Sequence, residues 1–174
     1  PPKAIRQFCE MIGITKSDSV IDMSILEECV RDELNQTSKR AMCVLNPVKI
    51  EIINYPENQV EKLKAPYHPQ NPEFGERELP FSREIYIEQD DFKENPPKKY
   101  FRLSPGKEVR LRNAYVIRCE EVVYNDNNEI DVIKCTYDEK TLGKNPEGRK
   151  VKGVIHWVSK NQAHPVKIFQ YDRL

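Results

Sequence analysis

The hydrophobic period of this chain changes once, near Ala41, and that change limits what it can fold into. Before it, Ile5, Phe8, Cys9 and Ile12 recur at helical spacing and Gly13 stands where a left-handed C-cap belongs. A second helix is predicted after Asp22, a good N-cap. It carries Leu26, Cys29, Val30 and Leu34 on one stripe, with Glu27, Glu28, Arg31 and Asp32 elsewhere, and ends at Asn35. Beyond Ala41 the period is two: Val48, Ile50 and Ile52 alternate with Lys49, Glu51 and Ile53. Further strands are predicted over 83–88, 99–103, 108–124, 130–137 and 151–159, and Asn125-Asp126-Asn127-Asn128 reads as a hairpin tip. No helix-length pattern interrupts them. The predicted architecture is therefore mainly β, an antiparallel β-barrel or sandwich preceded by a short helical segment, not a parallel α/β sheet.

Prolines 66, 69, 72, 80, 96, 97 and 105 fall in the predicted connections, of which 65–80 is the longest. Irregular stretches of that length are functional or mobile. Residues 166–174 read as a strand just starting, which leads us to expect more protein on the C-terminal side.

With 174 residues, 38% hydrophobic and 32% charged, the chain is long enough to bury a core and too apolar to be wholly disordered. Lys plus Arg equals Asp plus Glu at 28 each, so no net field draws it to nucleic acid or to an anionic membrane, and any such site must be local. No apolar run approaches the roughly 20 residues of a membrane span. The opening Pro-Pro-Lys-Ala-Ile is not a signal peptide. A cytoplasmic location is expected. The five cysteines are odd in number and none is paired at zinc-knuckle spacing, so reduced thiols and no metal site are expected. Cys9, Cys29 and Cys135 read as small hydrophobes.

Charge is concentrated in one place. Between Lys98 and Arg118 lie Lys98, Lys99, Arg102, Lys107, Arg110, Arg112 and Arg118 against a single acid, Glu108. On a strand Arg110 and Arg112 share a face, their stems roughly 7 Å apart. Arginine forks bind base edges and phosphates and stack on unpaired bases, and Tyr100 and Phe101 add aromatic faces. This is the mixture that reads single-stranded RNA. The same pattern also describes a solvated strand face, and charge alone does not choose between the two.

Two segments decide it. Lys107-Glu108-Val109-Arg110-Leu111-Arg112-Asn113-Ala114-Tyr115-Val116-Ile117 and Arg149-Lys150-Val151-Lys152-Gly153-Val154-Ile155-His156-Trp157-Val158-Ser159 resemble the glutaminyl-tRNA synthetase family. Arg40-Ala41-Met42, Asn46-Pro47-Val48-Lys49, Pro80-Phe81-Ser82 with Glu84-Ile85, and Tyr171-Asp172-Arg173-Leu174 follow that family's order, so the resemblance covers essentially the whole chain. It implies a class I, ATP-dependent aminoacyl-tRNA ligase whose helical subdomain leads into two anticodon-gripping β-barrels, of a kind also seen in a ribosomal protein. On that pattern residues 1–36 end the helical subdomain, 37–162 form the proximal barrel and 163–174 open the distal one. The class I signatures, a His-x-Gly-His type motif and a Lys-Ser-rich loop, do not occur. The resemblance thus implies no catalytic residue here, with ATP and Mg in a catalytic domain absent from this chain.

The partner so implied is the anticodon loop of tRNA(Gln), bound by a monomer. By motif, Arg40 resembles the arginine contacting the middle anticodon base, with Asn35 just upstream. Arg102, closing Lys99-Tyr100-Phe101-Arg102, resembles the reader of the third base, and Arg110 and Arg112 resemble the pair at the first. Gln70, after His68-Pro69, stands where the family has Asn and extends a base-pair contact to that loop. The family pattern has Gln at Lys99 and Lys at Phe101. Glutamyl-tRNA synthetases of archaeal and eukaryotic type share the two-barrel plan and are the nearest alternative, followed by a ribosomal-RNA-binding barrel. An unrelated enzyme would need Cys135 with His156 or His164, for which no local signature exists, and His156 reads as a packed or half-exposed barrel residue.

Overall fold

The computed structural model describes residues 1–170. The chain divides into two compact units, one formed by Pro1–Arg40 with Tyr67–Gly75, the other by Ala41–Pro66 with the chain from Glu76 onward.

In the first unit, α1 (Pro2–Ile12) and α2 (Met23–Thr37) form where helical periodicity placed them. Asp22 caps α2, its Oδ1 accepting from the Ser24 amide at 2.8 Å. Gly13 has φ 66°, so a residue without a Cβ ends α1 at little strain. The second helix runs two residues past Asn35, to Thr37, whose hydroxyl donates to the Glu33 carbonyl at 2.7 Å. Cys29 is buried, its Sγ 3.5 Å from Met11 Sδ. Cys9, expected on the same apolar stripe, is exposed. The buried position of α1 is Ala4, and the face it defines continues through residues three and four apart, which Cys9 misses by one.

The second unit is built on a seven-stranded sheet with the order β8-β5-β6-β7-β1-β4-β9. Its strands are β1 (Pro47–Ile52), β4 (Glu84–Glu88), β5 (Glu108–Leu111), β6 (Val116–Tyr124), β7 (Ile130–Asp138), β8 (Val154–Ile155) and β9 (Trp157–Ser159), and a separate ribbon pairs β2 (Glu61–Pro66) with β3 (Glu76–Phe81). Four of the six neighbouring pairs are antiparallel, whereas β1·β7 and β5·β8 run parallel. The two edge strands, β8 on β5 and β9 on β4, are consecutive in sequence, separated only by His156. One short stretch of chain therefore spans both edges and nearly closes the sheet into the barrel expected from the sequence, which leaves few unpaired edge groups.

Alternation fills the interior. Ile50 and Ile52, Ile85 and Ile87, Val109 and Leu111, and Ile155 and Trp157 are all buried, with intervening residues outside that core. Phe81 meets Trp157 edge-on at 5.3 Å between centroids and Tyr55 at 5.1 Å, arrangements that suit the ring quadrupoles. Asn125 holds the β6–β7 hairpin as expected, its Oδ1 accepting from the amides of Asn127 and Glu129, while Asn128 takes φ 62°.

Five strand and loop expectations change, one of them over 151–159, where only Val154–Ile155 and Trp157–Ser159 are strand. Residues 99–103 form no strand; Leu103 makes an isolated bridge to Phe92 and buries its side chain in the barrel core. The long strand over 108–124 is broken at Arg112–Tyr115, where Asn113 adopts φ 58°. The expected loop over 65–80 contains the β3 strand and a short 3₁₀ turn, Pro72–Phe74. Both ribbon strands were hidden because charged residues alternate with few apolar ones. Lys62, opposite Pro80, reaches diagonally across the ribbon to Glu78 at 2.9 Å, and Pro80 is tolerated because this sheet has only two strands. Of the strand expected over 166–174, residues 166–170 are irregular and exposed, and 171–174 lie outside the described residues.

Candidate nucleic-acid interface

Within the second unit, the segment after β4 turns through Gln89–Asp91, and the loop that follows brings Tyr100 and Arg102 back over it. Tyr100 Oη donates to the Asp90 carbonyl at 3.1 Å, and Arg102 Nη1 donates to the same carbonyl at 3.2 Å while pairing with Asp91 Oδ1 at 2.9 Å. Asp91 is nearly buried, and burial raises its carboxyl above the ordinary value against the pull of Arg102 and His156. Burial likewise pushes the Tyr100 phenol up to about 12. Arg102 is thus held at one edge by a carboxylate and a carbonyl while its side chain stays half exposed. It is oriented in advance, with donors to spare.

Beside it, Pro97, Lys98, Phe101, Lys107 and Lys152 line an open groove with Arg102. Phe101 is 53% exposed, and Lys152 Nζ stands 5.2 Å from its ring centroid. Glu108, the single acid of the basic stretch, is taken up by Arg149 in a two-pronged pair at 2.7 and 2.8 Å. That pair holds its carboxyl below the ordinary value, with Arg118 adding to the effect. Gly153 makes the groove possible: a Cβ there would lie 1.7 Å from the Phe101 carbonyl oxygen. Only glycine lets the β8 edge approach the loop so closely.

The two arginines of β5 and its end differ. Their amides donate to Gly153 and Ile155 carbonyls, so strand alternation continues through Arg112. The Arg110 guanidinium, however, donates to the carbonyls of Ala114 (3.3 Å), Thr141 (2.8 Å) and Lys144, bracing the segment after β7. Arg112 is exposed, and its carbonyl accepts from Trp157 Nε1 at 2.9 Å, which ties it to β9. His156, on the barrel seam, is held below the usual imidazole range, first by burial and then by the Arg112 charge. The structure therefore gathers Tyr100 and Arg102 on Asp90 and Asp91, with His156 close enough to sense both Asp91 and Arg112. Lys99 is exposed in the turn that the Tyr100 amide closes on Pro97 at 3.0 Å. Cys135 is fully buried opposite Cys119, whose hydrogen bond raises the Cys135 thiol further than burial does. It is a core residue, not a nucleophile.

Within the first unit a second group forms at the end of α2. The Asn35 carbonyl accepts from Arg40 Nη2 at 3.1 Å and lies 2.6 Å from His68 Nε2, and the Asn35 side-chain oxygen is 3.3 Å from the same Arg40 nitrogen. The amides of Gln70 and Asn71 donate to His68 Nδ1 at 3.2 and 3.0 Å. Asn35, Arg40 and Gln70 are exposed, and His68 is buried. Sequence reasoning missed Asp91, Gly153 and His68. The acidic pair Asp90-Asp91 directly after a strand was the available signal for the first, and no local pattern marks the other two.

Residues 38–138 match the family model described as tRNA synthetases class I (E and Q), anti-codon binding domain. The chain belongs to that family. Curated relatives of this anticodon-binding family member include the glutamine–tRNA ligase of Pseudomonas putida, 57% identical over 173 residues that span 99% of this chain and 30% of the relative. The corresponding ligase of Aliivibrio fischeri is 57% identical over 172 residues (98% and 31%), and that of Bradyrhizobium diazoefficiens 53% over 175 residues (100% and 31%). The chain thus spans about 30% of the length of the relatives it matches.

Proposed function

We propose that this chain reads the anticodon loop of a glutamine-accepting tRNA on behalf of a class I aminoacyl-tRNA ligase. The observation that carries the reading is the preset Arg102 at the mouth of a basic, aromatic groove, on a chain of the anticodon-binding family. Anticodon bases leave their stack and are matched one by one to donors of this chain. Arg102 takes the third base with Tyr100 and Lys99 beside it, and Phe101 offers a stacking face. Arg112 contacts the first base, with Arg110 bracing the segment that frames it. Arg40, Asn35 and Gln70 serve the middle base and the adjoining base pair. Lys98 and Lys107 meet phosphates.

We propose that the whole ligase joins glutamine to its tRNA using ATP and magnesium, and that this chemistry lies outside the present chain. The chain alone is proposed to ligate nothing.

The test is fluorescence anisotropy of this chain with labelled stem-loops carrying CUG, a glutamine anticodon, or CUC, a glutamate anticodon that differs only at the third base. Tighter binding to CUG is expected at moderate salt. Equal binding would sink the assignment of third-base reading to this barrel.

A further inference from the structure

We infer that His68 is the positioning residue of the Asn35, Arg40 and Gln70 group, one buried ring that holds the backbone of Asn35 and Gln70 and, through the Asn35 carbonyl, orients the Arg40 side chain. The inference rests on the anticodon reading above and goes beyond it, since His68 is itself buried and would act only through its neighbours. At 4% exposure the ring has both nitrogens engaged within the first unit. Two backbone amides, of Gln70 and Asn71, point at Nδ1, which must therefore be the acceptor. The remaining nitrogen, Nε2, then carries the proton and donates to the Asn35 carbonyl at 2.6 Å. That carbonyl is the one that Arg40 Nη2 also uses. One imidazole in one tautomer thus fixes the turn bearing Gln70 and the acceptor that orients the Arg40 guanidinium. Phe74, with its centroid 5.1 Å away, covers the ring.

The two halves of this role can be separated. His68→Asn places an oxygen where Nδ1 sits, able to accept from amides two and three residues on, as asparagine does in turns. It is too short to reach Asn35. His68→Ala removes both halves. In the intact chain, nitrogen NMR should show His68 as the neutral Nε2–H tautomer. In His68→Asn the Gln70 and Asn71 amide resonances should stay near their parent positions while the Arg40 side-chain Nε–H resonance moves. Anisotropy with stem-loops carrying CUG and CCG should show middle-base preference falling about tenfold in both variants, the scale of one arginine–base pairing. A merely structural histidine would lower the melting temperature and leave that preference intact.

An Arg40 resonance unmoved in His68→Asn, or an Nδ1–H tautomer in the parent, overturns the inference. If the parent chain has no middle-base preference, the anticodon reading of Arg40 fails by itself, and the Arg40 resonance still decides what His68 does.

Discussion

At the scale of single residues, the groove depends on how two carboxylates are used. Asp91 holds Arg102 from a nearly buried position and is itself unfavourably ionised there. Asp91→Asn should therefore change the melting temperature little, because loss of a half-exposed ion pair, worth about 0–1 kcal/mol, is offset by relief of a desolvated charge. Affinity for any stem-loop should rise severalfold as the negative charge paired with Arg102 is removed, while preference for the third base falls. Unchanged preference, measured by anisotropy, would free Arg102 of any need for Asp91. Glu108 behaves oppositely. Its pair with Arg149 lowers the carboxyl below 4.5, so the stability it contributes is present above that pH and is lost as pH falls through the lower folded value. A carbon-13 titration should find a midpoint below 4.5 that returns toward it in Arg149→Ala. A midpoint unmoved by that substitution would assign the shift to another cause.

At the scale of elements, the barrel seam and the groove loop are coupled through Gly153. Gly153→Ala would drive a methyl into the Phe101 carbonyl, and the loop, which lacks regular pairing, must give way. Overpacking of this kind costs about 1–3 kcal/mol. We expect a lower melting temperature together with weakened stem-loop binding. A stable protein with parental affinity would show that the loop moves aside freely. Trp157→Phe keeps the ring in the core but orphans the Arg112 carbonyl, a loss of about 1–3 kcal/mol in thermal unfolding. The same elements show what the sequence discloses. Isoleucine and valine alternation announced β1, β4, β6 and β7 because each buries one face. The ribbon of β2 and β3 escaped notice since its alternation is carried by Leu63, Ala65, Leu79 and Phe81 among charges and prolines. Arg102 and Arg112 were legible as a basic cluster. The bracing of Arg110 by carbonyls and the pinning of Arg40 through His68 depend on turns whose geometry no period encodes.

At the scale of the molecule, equal numbers of acids and bases mean that attraction to RNA is local and short-ranged. Replacing Lys98 or Lys107 by Ala should weaken binding to all stem-loops alike and reduce the slope of log affinity against log salt by about one for each phosphate no longer neutralised. An unchanged slope would remove those lysines from the RNA path. Arg102→Ala should do something different, weakening one sequence more than another. The most direct test of anticodon reading by this barrel is a double-mutant cycle, with parent and Arg102→Ala each titrated against CUG and CUC stem-loops. The account predicts a coupling of about 1–3 kcal/mol between Arg102 and the third base. Losses that are equal for the two stem-loops would mean that Arg102 senses only the backbone, and would contradict it.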